Sequence, residues 1–150
     1  MTPIRRLDHV AVLVRSTDEA LRFYCDHLGL AVHSSEELDA PHVRLTYLDA
    51  GNAFVQLVEP LDPSSPLEAW LNEHGEGLHH ICFGVDDVPA AVAELSEPGS
   101  EVVLGSGRGR LSSFITGDGN AVRIECTEFR REEDVDRAAG WLAPTSARRG

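Results

Sequence analysis

Two stretches decide the fold: Leu7 to Val14, LDHVAVLV, and Leu78 to Val85, LHHICFGV. Both are apolar and rich in β-branched residues, the composition of a buried strand. They align without a gap and set His9 opposite His80, 71 positions on (80 − 9). The same elements recur outward from each. After Val14, Ser16 with Glu19 three positions later forms a capping box. Ala20, Leu21, Phe23, Tyr24 and Leu28 then follow helical spacing, and Gly29 stops the helix. Strands are predicted at about 31–36, 43–48 and 53–59, with a turn at Asp49–Asn52. After Val85, Asp86-Asp87 caps a helix carrying Val88, Ala91, Val92 and Leu95, which Gly99 closes. Strands follow at about 101–104, 111–116 and 121–127.

The chain therefore reads as two βαβββ units in one α+β domain spanning 1–150. The first module is 6–59 and the second 78–127. Between them, 60–77 is a proline-rich linker with a helix capped by Ser65, with Pro66 in its first turn and Gly75 at its end. Residues 128–150 form a charged tail, with a helix expected at 132–139.

Hydrophobic residues make up 42% and charged residues 25%, a globular composition. No apolar run approaches the roughly 18 residues of a membrane span, and no signal-peptide core precedes the first strand. The formal charge of −12 makes nucleic acid and anionic membranes poor general partners. Arg108 and Arg110, set among glycines, offer one local patch for a phosphate. Cys25, Cys82 and Cys126 are odd in number and contain no C-x-x-C pair, which suits a reducing cytoplasm.

Four polar residues interrupt the apolar strands. His9 and His80 recur in the first strand of each unit. In the last strands, AFVQLVE and AVRIECT, Gln56 falls opposite Glu125, 69 positions on (125 − 56). Any one of them alone reads as an ordinary sheet residue, with Glu125 facing solvent beside Arg123. Together, two imidazoles, an amide oxygen and a carboxylate make a mixed nitrogen and oxygen set for a divalent ion, with Zn, Co, Ni, Mn and Fe all open. Four protein ligands on a six-coordinate ion leave about two neighbouring positions for a chelating substrate. His79 is expected on the opposite strand face from His80, packed between sheet and helix or bonded to a neighbour. His27 suits a helix C-terminus, His33, His42 and His74 look exposed, and His42 is a minor candidate for proton transfer.

The chain resembles the vicinal oxygen chelate superfamily over about residues 6–127, most of all the methylmalonyl-CoA epimerases. The matching stretches are Asp8-His9-Val10-Ala11, Asp18 to Tyr24 running to Leu28-Gly29-Leu30, Val55 to Pro60, Ser65-Pro66, and Gly75 to Ile81. The resemblance implies paired βαβββ modules forming a cleft-shaped mixed sheet around a metal held by His9, Gln56, His80 and Glu125. It implies interconversion of (2R)- and (2S)-methylmalonyl-CoA by removal of the C2 proton, with a metal-stabilised enolate. Glu125 fits one of the proton-transfer roles. An acyl-CoA or related chelating substrate and a homodimer are implied as partners. Two positions depart from the family's pattern. Leu45 stands where several epimerases carry a third-strand glutamate, and Thr116-Gly-Asp-Gly-Asn120 lacks the lysine of the family's His-Pro-Lys-Ser stretch. The alternatives are a glyoxalase I-like lyase, a dioxygenase, or a metal-free protein that sequesters a small drug.

Overall fold

The computed structural model describes residues 2–98, 104–115 and 122–134. β1 (Ile4–Leu13) and β5 (Gly77–Val85) pair antiparallel at the centre of an eight-stranded sheet. β1 continues into β4 (Phe54–Pro60), β3 (His42–Asp49) and β2 (Ala31–Asp39) on one side. β5 continues into β8 (Arg123–Glu128), β7 (Arg110–Phe114) and β6 (Leu104–Gly107) on the other. Both the β1–β4 and β5–β8 pairs are parallel, so the sheet is mixed and repeats its topology about its centre. This is the α+β architecture expected of the repeat.

Side-chain alternation sorts the two faces. On one face His9, Ala11, Leu13, Val43, Leu45, Tyr47, Phe54 and Val58 form a buried layer, covered by Leu71 of α2 (Pro66–His74). On the other, Val14, Leu48 and Leu57 pack against Ala20, Leu21 and Tyr24 of the first helical segment. In the second module, α3 (Val88–Leu95) buries Val88, Ala91 and Val92 against Val85 and Cys126. The three predicted caps are present. Ser16 Oγ accepts the Glu19 N–H, Ser65 Oγ the Glu68 N–H, and Asp87 Oδ1 the Ala90 N–H. Each is worth about 1 kcal/mol.

Several boundaries differ from expectation. The first helix is α-helical only over α1 (Thr17–Leu21), and Arg22–His27 continues as a π-helix. Leu28 N–H bonds the Phe23 carbonyl five residues back before Gly29 (φ 84°) ends the segment. β6 lies later than the predicted 101–104, because Arg108 (φ 57°) and Gly109 (φ 67°) form the two-residue turn to β7. Both left-handed residues match the twist that such a hairpin needs. The Gly99 stop, residues 101–103, the Thr116–Asn120 stretch, and most of the predicted 132–139 helix lie outside the described residues.

Three register shifts interrupt the central β1–β5 ladder. One places Asp8 as an extra residue on β1, between the pairs Leu7–Phe83 and His9–Cys82. Another places His79 as an extra residue on β5, between the pairs Ala11–His80 and Val12–Leu78. Each bulge falls directly before one of the two strand histidines.

The sheet also curls until its ends meet. β2 and β6 are the two outermost strands, yet the Arg108 backbone N–H donates to the Glu36 carboxylate. A side chain on Gly107 would lie 2.7 Å from the Tyr47 hydroxyl. Glycine is therefore required there to let the hairpin approach β3 so closely.

Candidate metal centre

His9 is 2% exposed, Gln56 4% and His80 5%, and the Glu125 side chain 13%. His9 Nε2 lies 3.4 Å from His80 Nε2 and 3.4 Å from Glu125 Oε1, and His80 Nε2 lies 3.5 Å from the same oxygen. A triangle of that size has its centre about 2.0 Å from each corner, the bond length of nitrogen and oxygen ligands to zinc. The structure thus brings three of the four sequence-predicted donors to one point. Glu125 does not face solvent beside Arg123, whose guanidinium instead lies 5.2 Å from the Trp70 ring.

Gln56 supplies a different observation. Its Nε2 donates to the Tyr47 hydroxyl at 2.8 Å, while its buried Oε1 has no hydrogen-bond partner among the described residues. A buried acceptor left unpaired costs about 1–3 kcal/mol. A cation is the partner that an amide oxygen in this donor set would take. The residues present therefore fit a divalent ion.

The electrostatics match. Burial alone would raise the Glu125 pKa, but His80 and His9 outweigh it and hold the carboxyl well below its usual range. Burial would lower the His9 pKa, yet hydrogen bonds to Asp8 and Glu125 raise it. Tyr47 is pushed far above its ordinary value, mainly by burial, and keeps its proton.

Asp8 was not singled out in the sequence, although its place next to His9 was a usable signal. It is 1% exposed and its Oδ2 accepts from His9 Nδ1 at 2.7 Å and from Arg108 Nη2. Burial raises its pKa, but His9 and Arg108 lower it further. Cys82 Sγ, Asp8 and His9 also lie within 4.8 Å of one another. The Asp8 carboxylate is already engaged by His9 and Arg108, so that group supports the centre rather than forming a second one.

His79 departs from expectation. The bulge turns it beside His80 instead of onto the opposite face, and the two Nδ1 atoms are 2.8 Å apart. Burial, then the charges of His80 and Arg123, lower its pKa to about 4. The expected Arg108–Arg110 phosphate patch is also corrected. Arg108 pairs with Asp8 and lies 4.6 Å over the Tyr47 ring. Arg110 is 4% exposed and bonded to Asp134 and Glu133. Both cations are consumed by carboxylates. His33 and His42 are exposed, and His42 faces Glu37. His74 is exposed and stacks on Trp70.

Two βαβββ halves that bring side chains from both to one buried cluster define a scaffold built by repetition. The chain belongs to the Glyoxalase/Bleomycin resistance protein/Dioxygenase superfamily, whose family model matches residues 8–116. It is 33% identical over 111 residues to the ethylmalonyl-CoA/methylmalonyl-CoA epimerase of Cereibacter sphaeroides, covering 73% of this chain and 82% of that one. It is 37% identical over 93 residues to the mitochondrial methylmalonyl-CoA epimerase of Mus musculus, covering 61% of this chain. There it spans about half the relative's length, 52%. Among solved structures, a variant of the Streptomyces coelicolor methylmalonyl-CoA epimerase in complex with 2-nitronate-propionyl-CoA superposes with a TM-score of 0.77 at 29% identity. That match covers 83% of this chain and 97% of the other. No helix among the described residues is long and apolar enough to cross a membrane.

Proposed function

We propose that this protein is a metal-dependent epimerase acting on methylmalonyl-CoA, exchanging the configuration at C2. One observation carries the reading. The three His9, His80 and Glu125 atoms sit at the spacing a divalent ion requires, and the Gln56 oxygen on the same face of the sheet as His9 is buried without a partner. The epimerase relatives supply the substrate class.

A divalent ion held by these four side chains would act as a Lewis acid toward two substrate oxygens and lower the energy of the enolate. The residues do the rest. Glu125 turns Oε1 toward both histidines, which leaves Oε2 for the proton at C2. Asp8 and the Arg108 guanidinium hold His9 in place. Leu45 is buried and carries no proton, so β3 supplies no opposing carboxylate at that position. A cleft of about 500 Å³ lined by Glu36, Phe54, Arg108 and Arg130 adjoins the Asp8–Arg108 pair. It lies in the size range of small-molecule sites.

The test has two parts. Elemental analysis of purified protein should find a divalent metal near one per chain, and much less in His80→Ala. Metal-loaded protein should exchange the C2 proton of methylmalonyl-CoA with deuterium from the solvent. Bound metal without exchange would reject this substrate and favour another reaction of the superfamily. Absence of metal-dependent chemistry altogether would reject the enzyme reading.

A further inference from the structure

Among the described residues, one buried histidine nitrogen has no hydrogen-bond partner, His79 Nε2. The other nitrogen of that ring, Nδ1, lies 2.8 Å from His80 Nδ1. Two ring nitrogens at that distance share one hydrogen bond, so one carries the hydrogen and the other accepts it. His80 turns its Nε2 toward His9 Nε2 and Glu125 Oε1. A nitrogen that binds a cation must offer a lone pair, so a neutral His80 carries its hydrogen on Nδ1. His79 Nδ1 is then the acceptor, and its own hydrogen must sit on Nε2. That is the atom found buried without a partner. The assignment accounts for the short contact and places an N–H at the buried, unpartnered atom.

We propose that His79 is a positioning residue for the metal centre, accepting the His80 Nδ1–H hydrogen bond and so fixing the tautomer and ring orientation that present Nε2. The inference rests on the metal-centre reading above. It gives a reason for a histidine at a site packed against the rings of Trp70 and Phe114, where an apolar residue would leave no polar atom stranded. The β-bulge makes it possible. In a regular strand, neighbours face opposite ways. The extra residue in the β5 ladder brings His79 to the His80 side. The β1 bulge does the same for Asp8, which engages His9 Nδ1 at 2.7 Å. Each module thus supplies a ligand histidine preceded by its own hydrogen-bond partner, a carboxylate in one and an imidazole in the other.

The test uses chelator-stripped wild type, His79→Leu and His79→Asn, titrated with cobalt(II). Affinity is read by competition with a metallochromic indicator, and ligand geometry from the visible absorption of the bound ion. His79→Leu is expected to bind at least about tenfold more weakly, with a shifted spectrum. His79→Asn, whose Oδ1 can accept the same hydrogen bond, is expected to recover most of the affinity. Wild-type affinity and spectrum in His79→Leu would overturn the inference. A second measurement needs no variant: long-range ¹H–¹⁵N correlation of the zinc-loaded wild type reads each ring's tautomer. Hydrogen on His79 Nε2 and His80 Nδ1 supports the assignment, and hydrogen on His79 Nδ1 overturns it. Wild type that binds no cobalt, or binding unchanged in His9→Ala, would instead reject the metal centre itself.

Discussion

Replacing Gln56 with leucine is expected to leave the metal-free protein about as stable while removing half or more of its response to metal. Gln56 is 4% exposed, and its Oε1 is buried without a partner while Nε2 donates to Tyr47. The orphaned oxygen costs about 1–3 kcal/mol, and the bond to Tyr47 returns about 1 kcal/mol. Leucine removes both but strands the buried Tyr47 hydroxyl at a similar cost, so the metal-free stability should change by less than about 1 kcal/mol. For a chain of this size that is within roughly 2–4 °C in Tm. In the wild type, an ion at 100 times its Kd adds about 2.7 kcal/mol, roughly 5–10 °C. Loss of one ligand weakens binding at least about tenfold, or 1.4 kcal/mol, and so removes half or more of that shift. Calorimetry of chelator-treated protein with and without excess zinc measures both quantities. A Gln56→Leu variant with a full zinc-induced shift would refute the assignment of the amide oxygen.

Other expectations concern the groups around the centre. The His79 pKa of about 4 lies below the ordinary 6.5, so the fold disfavours its protonation. Metal-free wild type should therefore lose stability as pH falls from about 6.5 toward 4, by at most about 3 kcal/mol at 1.36 kcal/mol per unit. His79→Leu lacks this loss, so urea unfolding of the two at pH 7 and 4.5 should diverge, and parallel behaviour would contradict it. Arg108→Gln breaks a buried pair with Asp8 and is expected to cost about 3 kcal/mol, whereas the same change in an Asp8→Asn background should cost clearly less. Equal costs in a double-mutant cycle would show that the pair is not coupled. Asp134→Ala leaves the buried Arg110 guanidinium with only Glu133 and the Glu128 carbonyl and should destabilise by about 2–3 kcal/mol in denaturant unfolding. A change below 1 kcal/mol would mean that this segment adds little to the fold.

The repeat was legible because it is written in pairs: His9 with His80, and Gln56 with Glu125. The succession of strands and helices along the chain follows from apolar runs and capped helices, and those signals are local. The bulges were not legible. A period-2 reading places His79 away from His80, and only the long-range pairing of β1 with β5 reveals the extra residue. Arg108 was misread for the same reason. Its glycine neighbours suggested an anion loop, but the hairpin's reach across to Asp8 depends on how far the sheet curls. The π-helical segment at Arg22–His27 also left no mark, because its apolar spacing is that of an α-helix.

The donors are divided evenly along the polypeptide, His9 and Gln56 before residue 60 and His80 and Glu125 after it. A bound ion would therefore clasp two separately encoded lobes, and neither lobe alone could retain it. Severed in the 61–64 loop, the two fragments would be expected to find each other most readily in the presence of the cation, which would act as the rivet of the assembly.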